Sequence, residues 1–138
     1  MKLTLCKLCQ FADRLASGNP VLVGLFSRMA TSEFPARLDP CFLAVEIETD
    51  PGETGRAVPL EIRMIDEDGK IITSWEGVLE LPPLFEPMPG HTYFAVPMPW
   101  DERFEFAVAG IYRFDVVLHD GEGEEDVLGG ATLVVHGP

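Results

Sequence analysis

FAVAGIYRFDVVLHD, residues 106–120, alternates after Gly110: Tyr112, Phe114, Val116 and Leu118 fall on one face, Arg113, Asp115 and His119 on the other. A period of two is that of a strand with one face turned to a core and the other toward solvent. Ile111 and Val117 share the second face, which is therefore mixed rather than wholly polar.

The opening of this strand, Gly110 followed two residues later by Tyr112, resembles the tyrosine corner of Greek-key sandwiches, in which the hydroxyl turns back onto upstream backbone. The strand is predicted to be central. In immunoglobulin domains a cysteine follows that tyrosine by two residues; here the position is Phe114, so no inter-sheet disulfide is expected and only the general sandwich architecture is implied.

The rest of the chain repeats this grammar. Residues 3–11 and 21–29 are apolar and β-rich, and the turn residues Ser17, Gly18, Asn19 and Pro20 between them predict a hairpin. Pro35 and Pro40 forbid a helix interior and suit a crossing between sheets. Cys41, Leu43, Val45 and Ile47 then alternate with Glu46 and Glu48, predicting one dry face and one wet. Leu60, Ile62 and Met64 alternate with Glu61 and Arg63, and the Asp68-Gly69 pair supplies the positive φ of a tight reversal into residues 71–75, extended by 76–81 past a kink at Gly77.

Residues 82–100 hold six of the twelve prolines and read as loop or edge, with 92–96 the best strand candidate. Residues 127–135 close the sheet. No helical periodicity persists over three turns. About eight or nine short strands separated by turns make an all-β, antiparallel Greek-key β-sandwich, immunoglobulin-like or C2-like, with little or no helix. At 138 residues it is a single domain spanning 1–138.

Charge and cysteines narrow the class. Residues 1–40 carry five Lys/Arg against three Asp/Glu, whereas 41–138 carry five against twenty. So acidic a body repels phosphate backbones, and nucleic acid is not an expected partner. Lys7 interrupts the only signal-like apolar run, no cleavage site follows, and no run approaches membrane length. Three cysteines cannot all pair, so free thiols and a reduced, cytoplasmic protein are expected.

LCKLCQFA, VLVGLF, FPARLDPCFLAVEIE, EIRMIDEDGK and GIYRFDVVLHDGE, in that order, resemble a small family of uncharacterised bacterial sandwich domains. The resemblance covers nearly the whole chain. It implies a cytosolic bacterial β-sandwich and brings no activity, ligand or site with it.

Chemistry-bearing motifs are few. Cys6 and Cys9 have the spacing of half a zinc site, but Cys41 and the histidines do not complete it, and on a strand i and i+3 point to opposite faces. His91, His119 and His136 are scattered, and GxSxG, HExxH and phosphate-cradling glycine loops are absent, so no enzymatic activity, no catalytic residue and no cofactor are expected. The acidic turns offer hard oxygen ligands, and a calcium-binding C2-like sandwich using Asp66, Asp68, Asp120 and Glu122 is the alternative function, a small hydrolase the third. The main expectation is a non-catalytic protein-binding or assembly module, with an unknown protein partner or a homo-oligomer. Its surface is placed on Phe85, Met88, Tyr93, Phe94, Met98 and Trp100, aromatic and methionine anchors on a proline-stiffened backbone.

Overall fold

The strand that opened the sequence reading lies in the middle of its sheet. The computed structural model describes residues 1–53, 55–81, 90–119 and 123–138, which contain nine strands, one short 3-10 turn at Pro51–Glu53 and no α-helix. They are β1 Lys2–Arg14, β2 Pro20–Phe26, β3 Arg28–Ala30, β4 Cys41–Thr49, β5 Ala57–Ile65, β6 Ile71–Glu80, β7 Gly90–Met98, β8 Gly110–His119 and β9 Glu125–His136. Two sheets form, ordered β2-β1-β4-β7 and β3-β9-β8-β5-β6. All pairings are antiparallel except β3 with β9.

The predicted corner is present. Tyr112 is 3% exposed and its hydroxyl donates to the carbonyl of Val108 at 2.6 Å. Phe114, Val116 and Leu118 follow it into the core between the sheets, where they meet Leu43, Val45 and Ile47 of β4 and Ile62 and Met64 of β5. Both alternating patterns thus point inward, toward each other.

Three features differ from the sequence reading. Residues 21–29 are two strands, because the chain changes sheets at Ser27, whose carbonyl accepts from the Val134 amide. The connection from Trp100 to β8, to which the alternating pattern assigned no core residue, enters the core: Phe104 and Phe106 are fully buried, Phe104 stacks on Phe114 at 5.9 Å, and Trp100 meets Phe104 edge-on at 5.0 Å. Glu105 between the two phenylalanines faces out to pair with Arg37. The outward face of β4 is not simply wet either, since Ala44 is 0% exposed and Phe42 is half-buried.

Candidate functional site

Two outer faces remain for chemistry. That of the five-stranded sheet is ionic. Glu61 and Arg63 share one side of β5, and the register sets Glu61 opposite Val117 and His119 opposite Glu125. Arg63 grips both oxygens of Glu61 at 2.9 Å and reaches Glu125 at 2.5 Å, while His119 Nε2 lies 2.9 Å from Glu61 Oε2. A side-chain bond from Arg63 holds the Glu61 carboxyl below its usual range, against the opposing effect of burial. A separate bond from Arg63 lowers Glu125. The network closes over Val117, which is fully buried although it lies on this outer face.

Glu61, His119 and Glu125 could present three ligand atoms within 4.8 Å of one another. The Arg63 guanidinium, however, already fills the space between the carboxylates, and it carries a permanent charge. A metal ion would have to displace it. The grouping is an ionic clasp, and it borders a cavity of about 550 Å³ reaching Glu53, Arg56 and Asp126. Sequence reasoning missed it, although alternation already put Glu61, Arg63 and His119 on outward faces.

Of the predicted calcium ligands, Asp66 and Asp68 share the turn that follows β5. Asp66 follows Ile65, which pairs with Arg113, while His119 and Glu125 lie at the opposite end of the β5–β8–β9 ladder. Asp66 is already engaged, its carboxylate accepting from the amides of Asp68 and Lys70 to hold the turn, with Gly69 at φ 81°. Asp120 and Glu122 lie outside the described residues.

The outer face of the four-stranded sheet is apolar around Cys9, Ala44 and Tyr93, and the β1–β2 hairpin covers that part of it. By register Leu5 pairs with Glu46 and Glu46 with Tyr93. Arg14, nine residues beyond Leu5, would sit about 30 Å along a straight strand. Instead it donates to the Tyr93 carbonyl and places its guanidinium carbon 5.0 Å from the Tyr93 ring centroid. The ribbon therefore turns back across the sheet. The bend fits Gly24 at φ 69°, a left-handed conformation open to glycine, where an added Cβ would also meet the Gln10 side chain at 2.5 Å.

Under the hairpin, Ala12 and Leu22 pack on Cys9, Ala44 and Tyr93, a second small cluster outside the main core. Phe11 meets Phe42 edge-on at 6.4 Å. On the same hairpin Phe11, Leu15, Val23 and Leu25 are exposed, each near half or more of its surface.

The predicted partner residues divide accordingly. Phe94, Met98 and Trp100 pack with the main core, Met98 at 3% exposed and Phe94 and Trp100 partly buried. The physical reason is the pleat: alternate side chains of β7 must point between the sheets. Tyr93 takes the outer face and lies under the hairpin, where burial pushes its phenol up and its hydroxyl has no hydrogen-bond partner among the described residues. Phe85 and Met88 lie outside the described residues. Cys6 and Cys9 point to opposite faces as expected, and all three cysteines are free thiols. Burial pushes Cys6 up to about 12 and Cys41 to about 11, which keeps both protonated and unreactive.

A family model matches residues 4–127, nearly every element described above. The chain belongs to DUF6941, a family of unknown function. No curated protein matches the chain. As a DUF6941 member it joins a family whose description assigns no activity, so its own surfaces carry the functional argument.

Proposed function

We propose that this DUF6941 protein is a non-catalytic protein-binding or assembly module, cytoplasmic in location, whose contact surface is the crest of the β1–β2 hairpin. One observation carries the reading: Phe11, Leu15, Val23 and Leu25 stand exposed together on a single hairpin, in a chain whose remainder is strongly acidic. Scattered surface apolar residues are ordinary, but a contiguous group marks an interaction site. No charged residue occurs from 15 to 27, so a partner docking there removes few ions from water.

The test is site-specific photo-crosslinking in the native host, with the reactive group at Leu15 and, as a control on the other sheet, at Ile111. An adduct heavier than the chain alone is expected at Leu15 and not at Ile111. Adducts at neither position, or equally at both, would overturn the assignment.

A further inference from the structure

Each sheet of the sandwich has two edges, and three of the four edge strands carry features that discourage pairing with another chain. β3 has only three residues, β6 bears exposed Glu76 and Glu80, and β7 carries Pro97. Short length, charge and proline are the usual means of blunting an edge. β2 differs. Its seven residues, PVLVGLF, hold no charge, and its single proline is the first residue, where it removes no interior ladder bond. One side of β2 pairs with β1, from Leu8↔Phe26 to Arg14↔Pro20, and its other side is the edge of the sheet.

From this we infer that the occupant of the β2 edge is a second copy of this chain, paired antiparallel about a twofold axis. The inference rests on the binding-module reading and names its partner. Two observations favour a second copy. An antiparallel edge is self-complementary: each copy supplies the same strand together with its own Val23 and Leu25, so apolar side chains meet apolar side chains across the axis. Charge points the same way. Two chains of net charge −13 repel over most of their surface, but the acid excess lies in residues 41–138, while 1–40 carry more Lys/Arg than Asp/Glu. Pairing through β2 joins the copies where no like charges are opposed.

The Gly24 bend limits the paired length. It divides β2 into 20–23 and 25–26, so the ladder between copies is short and the side chains of Val23, Leu25 and Phe11 supply much of the contact. A reversible dimer is expected rather than a permanent one.

The experiment is sedimentation velocity on the full chain across a micromolar-to-millimolar series, for wild type, Leu25→Lys, Leu25→Glu and an equal mixture of the two variants. Leu25 is exposed, so both variants should keep the wild-type circular dichroism spectrum. Wild type is expected to dimerise reversibly, each variant alone to dimerise at least tenfold more weakly, and the mixture to regain association. Hydrogen exchange supplies a second readout, with amides of residues 21–26 gaining protection as concentration rises. A wild type monomeric throughout the series overturns the inference, as does a dimer unaffected by either variant and unprotected at residues 21–26. Crosslinking at Leu15 separates the two ideas: a monomeric wild type that still forms a Leu15 adduct with a different protein overturns the second copy but leaves the binding module standing.

Discussion

The two outer faces of the sandwich bury side chains that a simple alternating pattern would leave wet, and they do so by different physics. Over the five-stranded sheet, Arg63 ties Glu61 to Glu125 and the network closes over Val117. Over the four-stranded sheet, a bent hairpin lays Ala12 and Leu22 on Cys9 and Ala44 and is held at its far end by Arg14 against Tyr93. The ionic cover is made of side chains already on the sheet. The apolar cover is made of backbone that has turned back, and it carries exposed apolar residues of its own. That difference is why only one face is read as a contact surface.

The largest expected effect tests the ionic face. Arg63→Met leaves the buried Glu61 without its cation, and removing one partner of such a pair costs about 3 kcal/mol. Urea denaturation measures it, and a loss below about 1 kcal/mol would mean that water already solvates the network as it does exposed pairs. The same face should respond to acid. The Glu61 carboxyl is lowered from an ordinary value of 4.5, so its stabilising contribution is complete above that value and is lost as pH falls through the lower folded value. Stability measured from neutral pH downward should start to fall near pH 4.5 in wild type, and Glu61→Gln should flatten that decline. An unchanged decline would place the acid sensitivity elsewhere.

A smaller effect tests the hairpin. Arg14→Met removes the bond to the Tyr93 carbonyl and the contact with its ring, together about 1 kcal/mol. The more telling readout is local: Cys9, shielded at 0% exposure, should be alkylated faster than in wild type, while Cys41 in the main core should not change. Equal Cys9 rates would show that something other than the hairpin shields it. The smallest stability effect is expected at the crest, where Phe11→Ser with Leu15→Ser should alter the unfolding free energy by under about 0.5 kcal/mol each and yet abolish the association described above. A large loss of stability would make these residues part of the packing and not of a contact surface.

Much of the fold was legible because strand periodicity is local. β4, β5 and β8 alternate apolar and polar residues, and the Gly110-x-Tyr112 opening marked both the corner and the central strand, since a buried tyrosine hydroxyl needs a nearby backbone acceptor. Of the proline-rich run at 82–100, read as loop or edge, the described part that forms β7 is an edge strand. Which of its side chains were free to bind was not legible, because a period of two leaves both faces open until the neighbouring sheet is placed.

The sequence by itself determined the all-β class, the inward sets of the long strands, the hairpin turns and the concentration of acid after residue 40. Each of these follows from interactions within a few residues or from composition. Only the tertiary structure decided that Arg63 bridges two strands, that Phe104 and Phe106 enter the core from a connection, and that Arg14 returns to Tyr93. The first and the last depend on strand register and on a bend at one glycine, and contacts between residues 62 and 79 positions apart in the chain leave no local pattern to read.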